Sequence, residues 1–140
     1  MIYLNDMNNR KEEYCELPPG KQPALRVAAM PSDTNFKGDI FGGWILGQVD
    51  IAGSIDAMRI ARGRVATVAV KEVVFKKPVY MGDLVSCYAD SIAIGTTSIT
   101  MDITVYAERV NNGKCVKVTE AKVVYVAVDE QGHPRPVPKE

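Results

Sequence analysis

The feature that most limits how this chain can fold is the segment from residue 41 to residue 62, which is apolar on nearly every side. Phe41, Trp44, Ile45, Ile51, Ile55 and Met58 leave no broad polar face. Its spacing predicts one long helix, with Asp39 as N-cap and Gly63 as the C-terminal stop. A helix of that kind must be covered on most sides. The residues that follow supply the cover. Val65 to Phe75, Asp83 to Ile94, Thr97 to Val110 and Val116 to Val128 are rich in β-branched residues and alternate with period two. Gly82, Gly95 and the run Asn111-Asn112-Gly113 mark the turns. Short connections make neighbouring strands antiparallel. With a short strand at Leu25 to Met30, the prediction is an α+β fold: a curved antiparallel sheet of about five strands wrapped around one helix. Gly47 and Gly53 cost stability in an exposed helix, so both are expected where the helix lies close to the sheet. A sheet of this kind keeps an unpaired edge in a monomer, which favours a dimer with a continuous sheet.

Residues 1–23 read as a polar leader ending in Pro18-Pro19-Gly20, with disorder as one outcome, and residues 24–140 as one domain. Lys plus Arg and Asp plus Glu are 17 each, so the basic surplus expected of a nucleic-acid binder is absent. Cys15, Cys87 and Cys115 have neither disulfide-framework nor zinc-site spacing, and reduced thiols in a cytoplasmic setting are expected. The richest apolar stretch, residues 40–60, contains Gln48, Asp50, Asp56 and Arg59, so no membrane span is expected. His133 is the only histidine and lies in a Pro-rich tail, which argues against Ser-His-Asp and Cys-His chemistry. No cluster has metal-ligand spacing. Carboxylates, amides and backbone N–H groups remain as catalysts.

Those groups concentrate between Asn35 and Asp50. Gly42 and Gly43 open the helix, where the first N–H groups lack intrahelical partners and carry the positive end of the dipole. They suit a developing oxyanion, although a plain Gly-rich turn has the same pattern. Asp50 lies between Val49 and Ile51, in a helix suited to burial. A buried carboxylate is costly unless paired or raised in pKa, and a raised pKa suits a general base. The bland alternative is a structural aspartate bonded to backbone or set at a wet subunit interface. Asp39 is nearer the glycines and is read as a cap rather than a catalyst. Gly43 and Asp50 are seven residues apart, about 10 Å along a helix axis. One carbonyl carbon does not meet both within a subunit, so a site using both draws them from two subunits related by a two-fold axis.

Residues 30–55, MPSDTNFKGDIFGGWILGQVDIAGSI, closely resemble the bacterial YciA-type acyl-CoA thioesterases, in the acyl-CoA hydrolase branch of the hotdog superfamily. The resemblance runs from about Leu25 to Pro138. It includes GRVATVAV (63–70), KPVYMGD (77–83), GTTS (95–98) and YVAVD (125–129). It implies the hotdog fold and hydrolysis of acyl-CoA to a carboxylic acid and coenzyme A, with no cofactor required. Asn35 and Asp50 are then the catalytic pair, contributed by opposite subunits. It also implies a hexamer built as a trimer of dimers. The coenzyme's phosphates are expected on Lys76 and Lys77, together with Gly95, Thr96, Thr97 and Ser98, with Arg64 beside Arg62 as a second basic patch. A non-catalytic acyl-CoA sensor on the same fold is the rival reading.

Overall fold

The structure, a computed structural model, describes residues 13–139. Strand β1 spans Leu25–Ala28, and a 3-10 turn follows at Pro31–Asp33. Helix α1 spans Gly42–Ala61, and then come β2 (Val65–Phe75), β3 (Leu84–Ile94), β4 (Ser98–Glu108) and β5 (Cys115–Ala127). All pairings are antiparallel, in the order β1-β3-β4-β5-β2. Period-two alternation sends Ile99, Met101, Ile103 and Val105 from β4, and Val116, Val118, Val123 and Tyr125 from β5, into one core with Ile45, Val49, Ala52 and Ala57 of α1. The helix and its wrapping sheet are as the sequence predicts.

Gly53 shows how close the helix lies. A methyl group there would sit 2.9 Å from both Cε2 and Cζ of Tyr125. Gly47 departs from expectation: a methyl there meets nothing within 4 Å among the described residues. The N-cap is Phe41, not Asp39, and among the described residues no side chain caps the helix. Asp39 instead pairs with Tyr80 in an isolated bridge. At the other end the left-handed residue is Arg62, at φ 53°, one position before Gly63.

Residues 1–12 of the predicted leader lie outside the described residues. Residues 13–17 are tied to the start of β5 and to the cluster on the side of the sheet away from the main core. Cys15 bridges Cys115 there, and Leu17 packs with Tyr88, Tyr106 and Cys115.

One buried ion pair fixes the loop between β2 and β3. Arg109 donates Nη1 to Asp83 Oδ2 at 2.6 Å and to the carbonyl of Pro78 at 2.9 Å, and its guanidinium stacks over Tyr80. Asp83 Oδ2 also accepts from Tyr80 N–H at 2.9 Å. The loop in turn holds the entry to α1, because Ile40 N–H donates to Val79 O at 2.9 Å.

Candidate active site

Asn35 organises the approach to the helix. Its Oδ1 accepts from Lys37 N–H at 2.9 Å and Asp39 N–H at 3.1 Å, and its own N–H donates to Asp39 O at 2.6 Å. The carbonyl half of the amide is therefore structural. The Nδ2 half has no partner among the described residues and remains available to donate. A cavity of about 320 Å³ opens here, lined by Asn35, Lys37, Phe41, Gly42 and Gly43. Trp44 and Ile45 N–H donate back to Phe41 O. Among the described residues nothing accepts from Gly42 or Gly43 N–H, and no acidic residue occupies the first turn. The positive end of the helix dipole thus reaches the cavity without a neutralising carboxylate. A methyl on Gly43 would meet nothing within 4 Å, so space is kept directly beside that N–H.

Asp50 lies on the same helix, seven residues on, and is half-buried rather than buried as the sequence suggested. Its neighbours face outward: Ile51 and Val68 are 51% and 57% exposed. Thr67 donates its hydroxyl to Asp50 Oδ1 at 2.7 Å, and among the described residues no donor reaches Oδ2. The main-chain carbonyl of Asp50 accepts from the Tyr125 hydroxyl at 2.6 Å. Burial, and then the neighbouring Asp50, push the Tyr125 phenol above its ordinary pKa, so it stays a donor. Two side chains thus hold the Asp50 turn, one by its carboxylate and one by its backbone. Neither Thr67 nor Tyr125 was singled out from the sequence. Each occupies an ordinary strand position, and only the strand register brings it to Asp50.

The residues expected to hold the coenzyme separate into two groups. Lys76 and Lys77 line a cleft of about 470 Å³ with Glu13, Tyr14, Cys15 and Lys117. Lys76 and Lys117 are paired with Glu120, at 3.0 Å and 3.1 Å. Lys77 is 7% exposed; its N–H donates to Val118 O, and its ammonium has no partner among the described residues. Gly95 to Ser98 form the β3–β4 turn, with Gly95 N–H donating to Ser98 O at 2.8 Å. Arg64 lies at this second end, where its carbonyl accepts from Val128 N–H and its guanidinium donates to Glu130 O. Lys76 N–H meets Val118 O whereas Thr97 O meets Ala127 N–H, so nine residues of β5 separate the groups, about 30 Å. The sequence placed Lys76, Lys77 and Gly95–Ser98 around one nucleotide; within one chain they do not share a site.

His133 is in an exposed turn, its Nδ1 3.8 Å from Asp129 Oδ2. Among the described residues no group of His, Cys, Asp and Glu is arranged to hold a metal ion, and no helix is long and apolar enough to cross a membrane.

One helix wrapped by a five-stranded antiparallel sheet, with bare glycine N–H groups at its start and a carboxylate on its outer flank, defines a hotdog thioesterase. Residues 37–114 match the family described as the thioesterase superfamily, to which the chain belongs. It is 50% identical over 123 residues to the acyl-CoA thioester hydrolase YciA of Salmonella typhimurium, covering 86% of this chain and 92% of that one. Its likeness to the YciA hydrolase of Escherichia coli K12 is 50% over 119 residues, covering 83% and 90%. Among solved structures, a hexameric thioesterase from Yersinia pestis superposes with a TM-score of 0.83 at 50% identity, covering 88% of this chain and all of that one. A hexameric hotdog thioesterase of Campylobacter jejuni gives 0.82 at 44% identity, covering 86% and 93%.

Proposed function

We propose that this protein is an acyl-CoA thioesterase whose catalytic centre is shared between two subunits. The observation that carries the reading is the division of the chemistry along α1: unpaired Gly42 and Gly43 N–H groups at its start, and Asp50 with an unengaged Oδ2 about 10 Å further on. Each is half of a site. The second half comes from another copy across the outer edge of β2, where Val68, Val70 and Val74 are 57%, 46% and 49% exposed. Among the described residues that edge strand has no neighbour on its outer side. A two-fold pairing there sets Asp50 of the partner subunit against the Asn35–Gly43 cavity. The hexamers among the relatives support a higher assembly built from such pairs, as a trimer of dimers.

The thioester carbonyl accepts from Gly43 N–H, with Gly42 N–H beside it. Asn35 Nδ2 orients the attacking water or the carbonyl. Asp50 of the partner subunit takes a proton as the water oxygen bonds to the carbonyl carbon. The oxyanion faces the helix N-terminus, and its collapse breaks the C–S bond. The departing CoA thiolate then takes up a proton. The alternative, direct attack by the Asp50 carboxylate through an anhydride, uses the same atoms.

The two-fold pairing also reunites the residues for the coenzyme. Arg64 is three residues before Thr67, which holds Asp50, so Arg64 and Gly95–Ser98 travel with the partner's Asp50. Lys76 and Lys77 travel with the glycine N–H groups, through the Val79–Ile40 link. One coenzyme then meets lysines from one subunit and Arg64 with Gly95, Thr96, Thr97 and Ser98 from the other. Catalysis is favoured over mere acyl-CoA sensing because the relatives are named hydrolases. The three free cysteines are consistent with a cytoplasmic setting. The test is thiol release from acyl-CoAs of graded chain length, read with a thiol-trapping dye. Release that Asp50→Asn abolishes supports the reading. Tight CoA binding without release would identify a sensor.

A further inference from the structure

Cys15 and Cys115 stand opposite one another in an antiparallel bridge, with Cys15 N–H donating to Cys115 O at 2.9 Å and the two Sγ atoms 4.0 Å apart. Directly opposed residues in such a bridge have Cα atoms about 5.5 Å apart, inside the range that a disulfide spans. The two sulfurs must approach by about 2 Å to bond. Cys87, the third cysteine, is fully buried in the core on the other face of the sheet. The surroundings of the pair are basic. Cys15 lines the cleft with Lys76, Lys77 and Lys117, opposed by Glu13 in the lining and by Glu120, which pairs Lys76 and Lys117.

We propose that Cys15 and Cys115 are a reversible redox pair, which an anionic low-molecular-weight disulfide converts into an intrachain disulfide that locks residues 13–17 across the lysine cleft. The chemistry balances without a metal. The exposed Cys15 thiolate attacks the small disulfide, forming a mixed disulfide and releasing one small thiolate. Cys115 Sγ then attacks the Cys15 sulfur and releases the second. The protein loses two protons and two electrons, and the small disulfide takes up both to become two thiols. Burial pushes the Cys115 thiol up to about 12, so Cys15 reacts first and Cys115 resolves. The bond converts a segment held by one bridge and a few side-chain contacts into a covalently fixed strand. Its effect on catalysis rests on the assignment of Lys76 and Lys77 to the coenzyme. With Glu13 held among those lysines, a phosphate meets a competing carboxylate, so oxidation raises KM for acyl-CoA and leaves kcat unchanged.

The test is incubation of the native full-length protein with glutathione disulfide, followed by alkylation and peptide mapping. The expected product is a Cys15–Cys115 linked peptide, reversed by a thiol reductant, with Cys87 unmodified. Amide exchange across residues 13–17 should slow tenfold or more on oxidation. In Cys115→Ser, Cys15 should stop at the glutathione adduct and exchange should not slow. In Cys15→Ser, Cys115 should remain a thiol, and this exposed substitution spares the core if Cys115→Ser folds poorly. A wild-type protein that stops at the adduct, or links Cys15 between two chains, overturns the proposal. Formation of the intrachain link with unchanged KM upholds the redox pair and removes the lysines from the substrate site.

Discussion

Thr67 donates its hydroxyl to Asp50 Oδ1 at 2.7 Å, from a strand that among the described residues is at the sheet's edge. One carboxylate oxygen is therefore held in place, and among the described residues the other has no donor. That division suits a carboxylate that must keep one orientation while taking a proton from a water that arrives with another subunit's substrate. Tyr125, through the Asp50 carbonyl, fixes the backbone beneath it.

Asp50→Asn should lower kcat by a hundredfold or more while leaving CoA affinity within a few-fold, since general-base catalysis contributes about 10²–10⁴. Thr67→Val, which keeps the volume and removes the donor, should lower kcat less, by about tenfold, with KM unchanged. Steady-state kinetics with a single acyl-CoA and CoA titration by calorimetry separate the two effects. Wild-type turnover in Asp50→Asn removes Asp50 from the mechanism.

Two glycines on one helix should answer oppositely to alanine. Gly53→Ala drives a methyl into the Tyr125 ring and should cost about 1–3 kcal/mol despite the better helix propensity. Gly43→Ala meets only open space among the described residues, so its melting temperature should hold or rise. Its turnover should nonetheless fall at least tenfold if the Gly43 N–H polarises the thioester as proposed, because the methyl occupies the room beside it. Thermal melts paired with kinetics on both variants decide the matter. Full activity in Gly43→Ala would place the oxyanion elsewhere.

The Arg109–Asp83 pair is 5% and 1% exposed, and removing one partner strands a buried charge. Arg109→Met should cost about 3–5 kcal/mol. The loop it anchors holds Ile40 and Asp39 at the entry to α1. Any folded remainder should therefore also lose kcat, which an exposed surface substitution of equal stability cost would not produce. Urea unfolding and kinetics on the soluble fraction give the two readouts.

Glu120 is held below its ordinary carboxylate pKa by hydrogen bonds from Lys76 and Lys117. A depressed folded pKa contributes stability above the unfolded value of 4.5, lost as pH falls through the lower folded value. Glu120→Gln should thus narrow the difference between its stability at pH 6 and pH 3 relative to the parent. The change should be under about 1 kcal/mol, because the pair is solvent-screened. Denaturation midpoints at the two pH values measure it, and an unchanged difference would show that the lysines do not hold Glu120.

Much of this architecture was legible in the chain, because period-two strands separated by turn residues after one all-apolar helix admit few arrangements. The Asn35–Asp50 segment stood out for a local reason, glycines and a carboxylate where a buried helix prefers neither. The cap at Phe41 was hidden because α1 starts only at Gly42, which leaves Asp39 three positions upstream in the loop, bridged to Tyr80. Thr67, Tyr125 and the Arg109–Asp83 pair were hidden because their partners are 17, 75 and 26 positions away, and only strand register supplies them. The 30 Å between Lys76 and Thr97 was hidden for the same reason.

The edge of β2 bears the last expectation. Val68, Val70 and Val74 are each about half exposed. The strand bulges between Thr67 and Ala69 and again between Lys71 and Val74, where Glu72 has φ 52°. Exposed valines and unpaired backbone groups on one edge are a template for a second strand. Val70→Lys places a charge in that contact without entering the core. It should shift the protein toward monomer in analytical ultracentrifugation, with little loss of helix or strand signal. If the two halves of the site come from different subunits, turnover should fall in proportion to the monomer fraction and recover as protein concentration rises. A monomer with full activity per chain would instead require Asp50 and the Gly43 N–H to serve one carbonyl within a single helix, against a separation of about 10 Å.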